Sequence, residues 1–199
     1  LLATGNVNAT TAISAQPSNV TICSGNATTF SLTAAGASLT YQWKVSTDGT
    51  NYTDLTNTGI YTGATTSVLR LSSGVTSSYS GYKYKCTVTG SCGSAVTSNE
   101  ATLTVNSPIS ISASPSNSTI CSGNNTTFSV TASGTSPTYQ WKVSTNGGSS
   151  YTNLSDAGVY TGVTTATLTI TGATAGMNSY KYHCVVSGTC ASATSDAAT

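Results

Sequence analysis

The sequence repeats itself, and no other feature restricts the fold so strongly. Residues 19–47 and 117–145 align without a gap, and 23 of the 29 positions are identical. The offset is 98 residues, so Cys23, Trp43, Cys86 and Cys92 return as Cys121, Trp141, Cys184 and Cys190. A chain of 199 residues with that offset is expected to hold two copies of one unit, each large enough to bury its own core. The expected units are residues 12–106 and 107–199, with 1–11 as a lead-in or the end of a preceding repeat. The copies differ in length by single residues near Gly147-Gly148 and before Tyr180, where loops absorb the change and the flanking strands keep register.

At the centre of each copy stands Tyr41-Gln42-Trp43-Lys44-Val45, returning as Tyr139-Gln140-Trp141-Lys142-Val143. Apolar and polar residues alternate there, the pattern of a strand with one face in a core and the other in water. The same alternation marks Ile13 and Ala15 before Pro17, then Phe30 and Leu32 within Thr28 to Ala34. It marks Leu69 with Leu71, then Tyr82, Tyr84, Cys86 and Val88, and finally Ala101, Leu103 and Val105. Ser24-Gly25-Asn26 and Asp48-Gly49 read as turns, and residues 51–66 as an irregular stretch anchored by Tyr52, Leu55 and Tyr61. No segment has a helical apolar period. Short strands separated by turn signals predict an all-β protein of two tandem antiparallel sandwiches.

Composition narrows the function classes. Only 6 basic and 5 acidic residues leave a net charge of +1, too little for a nucleic-acid footprint. No apolar run approaches the roughly 20 residues that span a bilayer, so no membrane insertion is expected in this segment, and no signal peptide is visible. Six cysteines beside one Met and one His favour an oxidising, extracellular setting. The five carboxylates, Asp48, Asp54, Glu100, Asp156 and Asp196, offer no acid and nucleophile pair, and a serine hydrolase site would have to use His183 in one copy alone. His183 and Cys184 are adjacent on one strand and point to opposite faces, which excludes a shared tetrahedral metal site. The chain is therefore expected to be no enzyme and to need no cofactor.

Trp on the third strand, with Tyr84-Lys85-Cys86 and Tyr182-His183-Cys184 on the sixth, resembles the immunoglobulin fold. That resemblance implies a core built on Trp43, Trp141, Tyr84 and Tyr182. The sequence departs at the second strand, where Leu32 and Val130 stand in place of the cysteine that would pair with Cys86 or Cys184. In this layout Cys23 falls in the turn after the first strand and Cys92 in the turn after the sixth, at opposite ends of one sandwich. Those ends lie too far apart for a bond needing Cα atoms within about 7 Å. The expectation is a Cys23–Cys190 bond between domains, Cys92 and Cys121 serving neighbouring repeats, and Cys86 and Cys184 as buried thiols. A local Cys86–Cys92 and Cys184–Cys190 staple, or a Cys23–Cys86 pair, stays open. Asn106-Ser107-Pro108 spans at most about 10 Å, so end-to-end stacking of the domains is expected. The second copy reaches Ala198-Thr199 where the first runs on through Leu103 and Val105. It reads as a window on a longer array, with a strand borrowed from another subunit as the alternative.

The run Thr-Ile-Cys-Ser-Gly, Thr-Thr-Phe-Ser, Tyr-Gln-Trp-Lys-Val-Ser-Thr-Asp-Gly, Tyr-Lys-Tyr-Lys-Cys and Glu-Ala-Thr-Leu-Thr-Val is similar to immunoglobulin-like repeats of very large Bacteroidota surface proteins. These include adhesins of the gliding-motility type exported by the type IX route. The resemblance implies an extracellular structural or adhesive repeat on the cell surface, partnered by neighbouring repeats of its chain or filament. Two other readings stand beside it: a polysaccharide-binding accessory module and a self-polymerising filament subunit. Lys44, Lys83 and Lys85 on one outer face, with Tyr61 and Tyr160, are the candidate ligand surface for surface polysaccharide.

Overall fold

The structure, a computed structural model, describes residues 9–199, so most of the lead-in lies outside it. The chain divides between Asn106 and Ser107 into two compact units. The first holds β1 (Ala12–Ala15), β2 (Val20–Cys23), β3 (Thr28–Ser31), β4 (Thr33–Ala35), β5 (Thr40–Ser46), β6 (Thr53–Asp54), β7 (Tyr61–Thr62), β8 (Val68–Leu71), β9 (Lys83–Thr89), β10 (Val96–Thr97) and β11 (Ala101–Asn106). One layer is β3-β8-β7 with the β1-β4 pair; the other runs β2-β11-β9-β5-β6, with β10 also on β9.

Alternation in the sequence becomes burial in the sandwich. Trp43, Tyr84, Cys86, Val88 and Leu103 come inward from one layer and meet Phe30, Leu69 and Leu71 from the other, all essentially without solvent contact. The ring of Tyr84 stacks on Phe30 with centroids 4.6 Å apart. Trp43 carries a polar group into this core, and its indole N–H donates to the Thr66 carbonyl at 2.9 Å. Gly63 makes the bend before that carbonyl at φ +77°, where an added Cβ would sit 2.2 Å from the Val68 carbonyl oxygen. Gly162 repeats the arrangement in the second unit, and Trp141 donates to Thr165 at 3.0 Å.

The single strand expected over Thr28 to Ala34 is two. β3 pairs with β8, whereas β4 pairs with β1 across a register shift. Buried Leu32 sits at the switch, its N–H bonded to Ser67 at 3.1 Å, and Val130 does the same on Ala166 at 2.9 Å. The irregular stretch 51–66 contains the two short strands β6 and β7. Cys23, expected in a turn, instead ends β2, which lies parallel to β11 and was not apparent from its sequence.

The second unit holds β12 (Ser110–Ala113), β13 (Thr126–Ser129), β14 (Thr131–Ser133), β15 (Thr138–Ser144), β16 (Thr152–Asn153), β17 (Tyr160–Thr161), β18 (Thr167–Ile170), β19 (Lys181–Ser187) and β20 (Ser192–Thr194). Its layers are β13-β18-β17 with β12-β14, and β16-β15-β19-β20. Trp141, Tyr182, Cys184, Phe128, Leu168 and Ile170 reproduce the core. Counterparts of β2 and β11 are absent among the described residues, and Ala198 pairs with Tyr182 by an isolated bridge. Both units are immunoglobulin-like sandwiches in tandem. Among the described residues no helix is long and apolar enough to cross a membrane, and the helical elements are the 3-10 turns Ser77–Tyr79 and Ala175–Met177.

Candidate functional site

Three groups of residues outside the common core carry distinctive chemistry: the cysteines, the outer lysine face and a groove in the second unit. Cys86 and Cys184 are fully buried free thiols on β9 and β19, and burial pushes each up to about 11. They remain protonated at neutral pH and behave as small apolar core groups. Cys92 is half-buried and Cys121 exposed, both as free thiols. Cys23 and Cys190 are half-cystines. Cys86, Cys92 and Cys184, which the alternative pairings would bond, are thus free thiols.

The cysteine pattern follows the repeat. Cys23 and Cys121 hold one equivalent position, Cys92 and Cys190 the other. Each repeat thus has one of these positions oxidised and the other free.

On the outer face of β5 and β9, Lys44 and Lys85 are direct cross-strand neighbours. Like charges so placed repel, and the surrounding residues answer each one. Lys44 pairs with Asp54 at 2.5 Å, Lys83 with Glu100 at 2.8 Å, and Lys85 lies 3.6 Å above the Tyr52 ring centroid. Tyr52 donates to Glu100 at 2.6 Å. Burial, with help from that carboxylate, pushes the Tyr52 phenol up to about 12, while bonds from Lys83 and Tyr52 hold Glu100 below the usual carboxylate range. The second unit replaces this network by a stack of Tyr151 on His183, centroids 4.0 Å apart, with Lys142 and Lys181 nearby. Burial, then the charge of Lys142, holds His183 below its ordinary value.

Tyr61 stands on β7, in the layer opposite the lysine-bearing β5 and β9, and Tyr160 holds the same place in the second unit. Each is half-buried at the core edge, with its hydroxyl on that of Tyr84 at 3.2 Å or Tyr182 at 3.3 Å. Burial raises Tyr61, Tyr84 and Tyr182 above the ordinary phenol range.

Asp48 is a polar centre that turn chemistry alone had marked only as a bend. Its carboxylate accepts from Ser46, from the Thr50 and Asn51 N–H groups, and from the Asn51 side chain, all between 2.6 and 2.9 Å. The Asn51 side chain and these N–H groups hold it well below the usual carboxylate range. Asn146 takes its place in the second unit and accepts from Ser144 and Ser150.

The groove has a volume of about 370 Å³ and lies between residues 118–122 and 173–182, with Phe128, Ile170 and Tyr182 at its floor and Thr199 at its rim. Ile120 lines it and is 39% exposed, the one large apolar side chain so exposed among the described residues. Its repeat partner Ile22 packs on the core of the first unit. Among the described residues no three metal-ligating side chains gather in one place.

A family model described as Domain of unknown function (DUF8696) matches residues 6–107, just over half of the chain. No curated protein matches in sequence. Among solved structures, the I-band fragment I67-I69 of titin superposes with a TM-score of 0.71 at 19% identity, covering 96% of this chain and 64% of that one. Sidekick-1 immunoglobulin domains 1-5 give 0.70 at 21%, covering 97% and 39%, and the extracellular domains 3-5 of Drosophila OTK give 0.61 at 17%, covering 94% and 60%. The chain thus spans under two thirds of these structures, and the likeness shows a shared fold.

Proposed function

We propose, from the premise that the chain belongs to the DUF8696 family, that it is a non-catalytic structural repeat of a larger extracellular protein. In this reading it serves as a spacer within a surface adhesin or filament of the Bacteroidota type named above. The observation that carries the reading is the cysteine pattern. Of two equivalent cysteine positions, the first repeat uses one and the second repeat the other, each keeping the remaining thiol free. Repeats that give one cysteine to each neighbour have this pattern, whereas independent modules would close their bonds internally.

Cys23 and Cys190 are accordingly bonded to each other, tying the first repeat to the second, and Cys92 and Cys121 serve further repeats. Such a bond stabilises the tandem by about 2 to 4 kcal/mol and limits hinging and proteolysis. A polysaccharide site on the lysine face is not favoured, because Lys44, Lys83 and Lys85 are each engaged by a carboxylate or an aromatic ring.

Non-reducing peptide mapping tests the reading. The expected result is one linked pair, Cys23 with Cys190, and four alkylatable thiols. Recovery of Cys23 or Cys190 bonded within its own repeat would refute it.

A further inference from the structure

The outer faces of the two repeats carry nearly the same cations and very different numbers of counter-charges. In the first repeat Lys44, Lys83 and Lys85 stand among Asp54, Glu100 and Asp48, and Lys44–Asp54 and Lys83–Glu100 are ion pairs. Glu100 is the centre of that network. One of its carboxylate oxygens accepts from the Lys83 ammonium at 2.8 Å and the other from the Tyr52 hydroxyl at 2.6 Å. The second repeat keeps the donors, as Lys142, Lys181, His183 and Tyr151, while Asn153, Ala197 and Asn146 replace all three acids. Of its two side-chain carboxylates, Asp156 accepts from the Val163 N–H at 3.0 Å, and neither Asp156 nor Asp196 forms an ion pair. Among the described residues nothing bonds to the Lys142 or Lys181 ammonium or to the Tyr151 hydroxyl.

These donors are nonetheless held together. The Tyr151 ring is fixed by its stack on His183, centroids 4.0 Å apart, and Lys142 stands directly across the strands from His183. A Cβ placed on Gly148 would lie 3.4 Å from the Tyr151 hydroxyl and 3.7 Å from the Lys181 Nζ, so the two polar tips converge on one small space. A hydroxyl and an ammonium so placed can donate to the two oxygens of one carboxylate, as their counterparts do to Glu100. The charge of the face thus calls for an anion, and its donors call for a carboxylate. The exposed neighbours are Asn146, Ser150 and Asn153, amides and a hydroxyl that suit a hydroxylated ligand. No large apolar side chain is exposed there to seat the side chains of a peptide.

We propose that Lys181, Tyr151 and Lys142 form a binding site for the carboxylate of an acidic sugar, a uronate unit of an extracellular polysaccharide. The ligand's carboxylate takes the part that Glu100 plays from within the first repeat. The proposal goes beyond the spacer reading: one repeat neutralises its own face, and the other offers that face to a ligand.

Trigalacturonate is the probe, titrated into the full chain with its native disulfide intact and followed by NMR at the His183 and Tyr151 rings. Saturable shifts are expected at both. The methyl ester of the same trisaccharide, which lacks the charges, should bind at least about tenfold more weakly, and so should the Lys181→Gln chain. Ala197→Glu, at an exposed position, supplies the first repeat's carboxylate in cis and should abolish binding. Glu100→Ala leaves the second repeat untouched, frees Lys83 and Tyr52, and should create a second site, seen as new shifts at the Tyr52 ring.

Resonances of His183 and Tyr151 that do not move would overturn the proposal. So would equal binding of the ester, or binding that survives Ala197→Glu, because the carboxylate would then not be what these donors hold. Triglutamate that binds as tightly as the trisaccharide, or more tightly, would make the site a seat for an acidic peptide and overturn the sugar as ligand. None of these outcomes alters the Cys23–Cys190 map, which judges the spacer reading separately.

Discussion

The two repeats have nearly the same central sequence and differ in how their larger sheet closes. Thr21–Asn26 and Thr119–Asn124 are identical, yet Val20–Cys23 is a strand and residues 118–121 are not. The difference lies in the partner. β2 has no sheet neighbour except β11, and among the described residues no strand stands beside 118–121. Strand propensity in such a segment is a statement about its neighbours more than about its own backbone.

The sharpest way to break this comparison is to make the first repeat resemble the second. Leu103 is wholly buried, and Leu103→Ala should cost the first repeat about 2 to 5 kcal/mol. The substitution should lower the calorimetric transition of the first repeat and leave that of the second in place. Hydrogen exchange at Val20 to Cys23 should quicken by a similar energy. Unchanged protection there would mean that β2 is held by something other than β11.

Much of this architecture could be read before the structure was known. Trp43, Tyr84, Phe30, Leu69 and Leu103 announce their burial by alternation, and the repeat doubles every such signal. The break at Leu32 was hidden because an inward apolar residue looks the same within a strand as at a switch between two partners. The short pairs β6 and β7 carry too few residues to show a period. The bonds at Asp48 are local and recognisable only as turn chemistry. The groove was not legible in the sequence, because its lining brings together residues up to 81 positions apart, such as Ser118 and Thr199.

A second difference between the repeats is acid sensitivity. Asp48 and Glu100 both sit below the ordinary carboxylate range in the first repeat, and the second has Asn146 and Ala197 at those positions. A folded-state value below the unfolded one gives stability that is present above about pH 4 and lost as pH falls through the folded value. The melting temperature of the first repeat should therefore decline on acidification below about pH 4. Asp48→Asn, which installs the residue of the second repeat, should remove part of that decline. If the decline is the same in the variant, Asp48 is not its source and Glu100 carries it.

The smallest expected effect runs the other way and lies nearer neutrality. His183 stacks on Tyr151 where Lys85 of the first repeat lies over Tyr52. Burial, reinforced by Lys142, lowers its folded value below the ordinary one of about 6.5, so the fold favours the neutral ring. The associated stability is complete above about pH 6.5 and is lost as pH falls through the folded value, because the unfolded chain then takes up the proton more readily. Lowering the pH from about 7.5 to about 5 should weaken the second repeat slightly and leave the first unchanged. His183→Lys places the first repeat's residue on the second repeat's strand and should erase that slope. The imidazole resonance followed by NMR gives the direct measure: a midpoint at or above about 6.5 would show that burial and Lys142 do not govern the ring.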